Sequence, residues 1–352
     1  MASFDHSTRT DPTTTDPTTT DPTTTKPTAQ STASTPPHLQ VLMVNVHDWH
    51  PTPTQVDGLL AQLQPEERAR VLRFRLEIDK HRSLTGRILL RHMAHHALNF
   101  PWNDLRFKRT EENKPYLFHP QRTGYNCNVS HHGNWVAGAC DTRALVGIDV
   151  MRYERPRGCK NIPEFFGTMR QYFTTYEWNT IEHSSTTQPF VDDADADDAS
   201  GTTGTEQKET VAVDRWEKLQ LRQFYKHWAL KESYIKAIGI GLGFELSRAE
   251  FRYVRLEQDN NTGVYVRTEC LADSTHAVMY IDGALQKEWT FEIQEPDEEH
   301  CVVVAMGPFQ EATPHFLDTL ALESKESPPA ASVPPTLCFE HRKVGSLLPM
   351  VQ

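Results

Sequence analysis

The chain has little that would take it into a membrane. No apolar run approaches the ~18 residues that a spanning helix needs, and no charged-then-apolar leader opens the sequence. It also lacks an excess of positive charge. Lys and Arg number 36 against 47 Asp and Glu, a formal net charge of −11. That balance argues against nonspecific nucleic-acid binding, which needs a basic face to neutralise phosphates. Cysteine is sparse: the six residues at 127, 140, 159, 270, 301 and 338 form no C-x-x-C pair. A zinc ribbon or dithiol redox motif is therefore not expected. Free thiols in a cytoplasmic protein are. Ahead of residue 39 stand Asp5, Asp11, Asp16 and Asp21, with Arg9 the one arginine, unlike an acidic-poor mitochondrial transit peptide.

What is present falls into distinct stretches. Residues 1–38 are low in complexity, with DPTTT repeated from Asp11 to Thr25. Such a segment cannot bury enough apolar surface to offset its ordering entropy, and reads as a disordered tail. Order is expected from LQVLMVNV (39–46), a strand. QPEERARVLRF, with Pro65 at a first helical turn, and a second helix over 79–98 follow. Strands are expected near 105–108, 125–129, 135–140 and 144–151, and helices over 163–181. Residues 183–212 read as an acidic disordered insertion, with a long helix resuming near Asp214 and lasting to Ile238. Five strand candidates follow, at 251–257, 264–271, 276–282, 288–294 and 300–306. The tail beyond Phe309 is expected to add little to the core. Helices beside short antiparallel strands make an α+β chain, not a doubly wound sheet. The division expected is a tail (1–38), an N-terminal subdomain (39–145), a C-terminal subdomain (146–309) and an extension (310–352).

The chemistry gathers around WALKESYIKAIGIGLGFE (228–245). At 100° per residue, Phe224, Trp228, Ile235 and Ile238 share one helical stripe, with Glu232 and Lys236 on its flank. Alone, a Glu–Lys pair at i, i+4 is an ordinary surface pair worth ~0.2–0.5 kcal/mol, and GIGLG an ordinary helix end. A second segment adds weight. GIDVM places Asp149 between Ile148 and Val150, facing away from both. A carboxylate in so apolar a strand needs a partner, and two carboxylates meeting there would suit Mg²⁺. FKRTEENKPY (107–116) adds Lys108, Arg109 and Lys114; NVSHHGNW (128–135) adds Asn128, Ser130 and His131. Cations, a hydroxyl and an imidazole suit a phosphate-rich ligand, although a solvated loop and a turn histidine fit these residues equally well. A zinc site from His92, His95 and His96 on one helix face is a weaker candidate, since nothing completes it.

This set of motifs resembles the surfactin-type 4′-phosphopantetheinyl transferases, and within them the eukaryotic aminoadipate-semialdehyde dehydrogenase phosphopantetheinyl transferase branch. GIDVM (147–151) and WALKESYIKAIGIGL (228–242) stand where that family has its two signatures. NKPY, NVSH, IPEFF (162–166) and QYFTTYEW (171–178) keep the family's order, and the likeness covers residues 58–307. It implies two similar subdomains related by a pseudo-twofold axis, each with helices on a small, mostly antiparallel sheet, in a monomer. It implies transfer of the phosphopantetheine arm of coenzyme A to a serine of an apo carrier protein, releasing 3′,5′-ADP. Carriers of fatty-acid synthase, polyketide or peptide synthetases, and an aminoadipate reductase are the implied partners. By the same resemblance, Asp149 and Glu232 would hold Mg²⁺, Glu232 would serve as base, and Lys236 would contact the pyrophosphate. Arg70, Arg109, Asn113, Lys114, Asn128, Val129, Ser130 and His131 would line the coenzyme A pocket, His131 near the 3′-phosphate. Bacterial members carry a third carboxylate where this chain has Met151, so two protein carboxylates are expected. Two rivals remain: a Mg²⁺-dependent nucleotide phosphohydrolase, and a binding module without turnover.

Overall fold

Alternating apolar residues make β1 (Gln40–Asn45) two-sided. Leu42 and Val44 point into one core, Val41 and Met43 into another. This computed structural model describes residues 39–121, 123–183, 204–258, 265–270, 274–322 and 337–348, with only the backbone for 204–214. After β1 come α1 (Pro53–Ala61), α2 (Pro65–Leu72) and α3 (Glu77–Leu98). A hairpin of β2 (Phe107–Arg109) and β3 (Pro115–Leu117) leads to β4 (Asn126–His132), β5 (Trp135–Asp141) and β6 (Leu145–Arg152). Next are α4 (Ile162–Met169), α5 (Thr175–His183) and α6 (Gly204–Ile238). Then follow β7 (Ala249–Gln258), β8 (Tyr265–Glu269), β9 (His276–Ile281), β10 (Ala284–Leu285), β11 (Thr290–Asp297) and β12 (His300–Gly307). The chain ends with α7 (Pro314–Thr319) and β13 (Phe339–Arg342).

The strands form one sheet in the order β13-β1-β5-β4 and another in the order β6-β12-β11-β9-β7-β8, with β10 beside β9. All pairings but β1–β13 are antiparallel, and with the helices this is the expected α+β fold. α3 covers one face of the first sheet with Leu84, Ile88, Leu89 and Met93. Val41, Met43, Ala137 and Ala139 on the other face meet Ile148, Val150, Val302 and Val304 of the second. α6 closes the far side of β6 and β12 through Ala229, Leu230, Ala237 and Ile238. Among the described residues no helix is long and apolar enough to cross a membrane.

Two expectations need correction. α6 begins at Gly204, upstream of Asp214. Its polar first turns lack an apolar stripe but also lack proline, so the helix extends out of the acidic stretch. The rest of that stretch, and the 1–38 tail, lie outside the described residues. The larger correction concerns the tail beyond Phe309. Phe309, Ala312, Phe316 and Leu320 are buried in the second core, and β13 adds a parallel strand to β1, pairing Val41 with Phe339. Val344 and Leu347 then pack under α3. These pieces are too short for a periodicity to show, and they take their order from a sheet edge and a core already formed.

Candidate active site

The site begins with a glycine. A Cβ on Gly147 would lie 1.9 Å from the Ser233 carbonyl oxygen and 2.5 Å from the Ala237 nitrogen. Only a bare Cα lets α6 rest directly on β6 at this point. Two residues on, Asp149 faces that helix from a buried position. Lys236 Nζ lies 2.5 Å from Asp149 Oδ1. Ser130 Oγ donates to the same oxygen at 2.8 Å and accepts from Lys236 at 3.1 Å. Asp149 Oδ2 is buried with no hydrogen-bond partner. Glu232 sits one turn before Lys236 and lines the same cleft. Burial raises its pKa; Lys236 opposes the shift and Asp149 adds to it.

The position of Ser130 follows from a seam between the two sheets. β4 and β6 are facing edges, and edge strands leave amides unpaired. Here side chains of β4 accept from alternate amides of β6. Asn126 Oδ1 takes Val146 N–H at 2.8 Å, and Asn128 Oδ1 takes Ile148 N–H at 2.9 Å. Ser130 Oγ takes Val150 N–H at 3.3 Å, and His132 Nδ1 takes Arg152 N–H at 3.0 Å. The expected pocket residue Asn128 thus spends its amide oxygen on the seam. Val129, pointing the other way, packs where α3 passes at Gly86, and His131 lines the cleft. Crowding by the surrounding protein, then Arg82 and Lys236, pulls the pKa of His131 down, while the side chain itself stays exposed at the cleft.

A cavity of about 790 Å³ brings together His131, Glu232, Lys236, Arg109, Asn113 and Lys114. A smaller one of about 480 Å³ shares Arg109 with it and adds Arg70. Arg109 Nη1 donates to the Asn113 carbonyl at 2.6 Å. Asn113 adopts φ 67°, a left-handed turn conformation that asparagine tolerates better than most residues. Lys114 is used differently from its neighbours. Its buried ammonium donates to the carbonyls of Val146 at 3.2 Å, Ala237 at 3.1 Å and Lys236, and lies 4.4 Å from the Phe316 ring centre. Three N–H groups meet three carbonyls, two of them at the negative end of α6. Burial draws its pKa down to about 7. One side chain thereby pins β6 to the end of α6, and so Asp149 to Lys236. Lys114→Met, of similar length, is expected to lower kcat about tenfold or more, because misplaced groups lose that much. The dissociation constant for 3′,5′-ADP, measured by calorimetry, is expected to change less than about twofold if the ammonium holds no phosphate.

Lys231, which the sequence sets beside Glu232 and close to the apolar stripe without a role, is fully buried, as is Glu177, 2.8 Å away. The signal was there: Lys231 lies seven residues from both Phe224 and Ile238, on the centre of their stripe. The His96 ring does meet those of His92, tilted, and His95, edge-on. However, His92 and His95 spend Nδ1 on the carbonyls of Leu347 and Phe100.

Residues 47–143 match the family described as 4′-phosphopantetheinyl transferase, N-terminal, and residues 145–305 match the 4′-phosphopantetheinyl transferase superfamily. A phosphopantetheinyl transferase of Thraustochytrium is 38% identical over 77% of this chain and 79% of its own length. The human L-aminoadipate-semialdehyde dehydrogenase-phosphopantetheinyl transferase is 37% identical over 72% of this chain and 71% of its own. The 4′-phosphopantetheinyl transferase ffp of Bacillus subtilis is 25% identical over 60% of this chain and 74% of its own. The chain belongs to the 4′-phosphopantetheinyl transferase superfamily and is a transferase.

Proposed function

We propose that the chain transfers 4′-phosphopantetheine from coenzyme A to a serine of apo carrier proteins, with Mg²⁺ held by Asp149 and Glu232, as a monomer in the cytosol. The observation that carries the metal assignment is the buried, unpartnered Asp149 Oδ2 beside a second carboxylate. A carboxylate oxygen out of water with no donor suits a hard cation. When bound, Mg²⁺ would neutralise charge on the diphosphate. Met151 packs among apolar residues, which leaves two protein carboxylates for the ion.

The chain's own groups account for the rest. Lys236 meets the phosphate oxygens on which charge grows as the anhydride opens. Glu232 accepts the serine proton, directly or through a water. The serine Oγ–P bond forms, the P–O bond to the nucleotide breaks, and 3′,5′-ADP leaves with the electron pair. Arg70, Arg109 and His131 hold the nucleotide end. Carriers of fatty-acid, polyketide or peptide synthesis and an aminoadipate reductase are the partner classes.

The test is mass spectrometry of apo carriers incubated with the enzyme, coenzyme A and Mg²⁺. A phosphopantetheine adduct on one serine, lost with EDTA and regained with Mg²⁺, is the expected result. Release of 3′,5′-ADP at an equal rate without any carrier would make the protein a phosphohydrolase instead.

A further inference from the structure

At the outer end of the seam, β4 turns into β5 through Gly133 and Asn134, and this turn is gripped from several sides. Arg82 of α3 donates to the Gly133 carbonyl at 2.7 Å, and the Val46 amide donates to the Asn134 carbonyl at 2.8 Å. A further hold comes from the second sheet. His300, the first residue of β12, is fully buried. Its Nε2 accepts from the Asn134 amide at 3.3 Å. Its Nδ1 lies 2.7 Å from Asp297 Oδ1, which also accepts from the Glu299 amide at 2.9 Å. Asp297 Oδ2 accepts from the Trp135 indole at 2.8 Å. Facing a carboxylate oxygen, Nδ1 carries the ring proton, and Nε2 keeps its lone pair for the turn. A Cβ on Gly133 would lie 2.0 Å from Nε2, and Gly133 has φ 54°. Glycine is what lets ring and turn meet.

An imidazole oriented by a carboxylate has the form of a general base, yet this one lines neither cavity and faces a backbone amide. It reaches the reaction through the chain. Ser130, which bonds both Asp149 and Lys236, stands three residues before Gly133. Between them lie His131 in the cleft wall and His132, the last tooth of the seam. Asn126 and Asn128 hold the inner part of the seam without His300. We propose that His300, oriented by Asp297, is a positioning residue for the transfer: by fixing the β4–β5 turn to the second sheet it holds Ser130 on the Asp149–Lys236 pair. The assignment rests on Asp149 and Lys236 being the reacting groups.

The experiment measures kcat for transfer to one apo carrier, and thermal melting, in the intact enzyme, His300→Gln, His300→Asn and Trp135→Phe. A glutamine can place its amide oxygen where Nε2 accepts from Asn134, whereas the shorter asparagine reaches only Asp297. His300→Asn is therefore expected to lower kcat roughly tenfold or more, as displaced groups do. His300→Gln should keep kcat within about threefold of the intact enzyme. Trp135→Phe removes a bond to Asp297 but none to the turn, so it should melt lower and also keep kcat within about threefold. Equal losses of kcat in the Gln and Asn variants, or a kcat that follows Tm across all three, would overturn the assignment. Should His300→Asn not fold, Gly133→Ala, whose Cβ displaces the ring, is expected to show the same loss of kcat; full turnover there would equally overturn it. Asp149→Ala is run beside them. Turnover near that of the intact enzyme in that variant would sink the reading of the site, whereas an inactive Asp149→Ala beside equal Gln and Asn variants sinks the positioning role alone.

Discussion

Asp149→Ala should lose transferase activity by about a thousandfold or more while remaining folded, since it removes a charge that acts on the transition state. Asp149→Asn should be nearly as damaging. It keeps an oxygen for Ser130 and a shape close to the original, but presents no anion to a cation or to Lys236. The measurement is steady-state transfer of phosphopantetheine to an apo carrier across a Mg²⁺ series, with thermal melting as the control for folding. Turnover near that of the intact enzyme in either variant would remove Asp149 from the reaction. A partial loss rescued by Mn²⁺ would fit weakened ion binding.

The second large effect is on stability. Lys231 Nζ meets Glu177 and the carbonyls of Leu246 and Ala249. Glu177 also accepts from the amides of Thr174 at 2.8 Å and Phe251 at 3.1 Å. The pair joins α5, α6 and β7 behind the face of α6 that carries Glu232 and Lys236. Burial raises the pKa of Glu177 and lowers that of Lys231, and each opposes the shift in the other. Removing one partner strands a charge in the core. Lys231→Met or Glu177→Leu alone should each cost ~3–5 kcal/mol, lowering Tm by roughly 6–20 °C at ~2–4 °C per kcal/mol. The double variant should recover much of the loss, because well-packed apolar replacements of a buried pair are often neutral. Thermal melts of the four proteins decide it. Additive losses would mean that the ions act separately.

Much of this site could be read from the chain because its signals are short-range. Asp149 stands out between two aliphatic residues, and Glu232 and Lys236 keep helical spacing. What sequence could not supply is direction. Lys114 and Arg109 lie five residues apart in one basic loop, yet one ammonium enters the protein and the other side chain lines the cleft. Asn128 lines the larger cavity as expected, but strand alternation alone cannot reveal that a second edge strand takes its amide oxygen. The C-terminal strand escaped because its partner lies nearly three hundred residues upstream.

The seam between β4 and β6 fixes a pitch for the whole cleft. Its teeth are every second residue, so moving one strand by a single position would face the amides of β6 with Cys127, Val129 and His131. The next position offering polar teeth is two residues away, roughly 6.6 Å along the strand, and would carry Asp149 past Ser130. Evolution can therefore lengthen the β5 hairpin or the loop before β6 freely, but can reset the span between nucleotide wall and acid only in double steps.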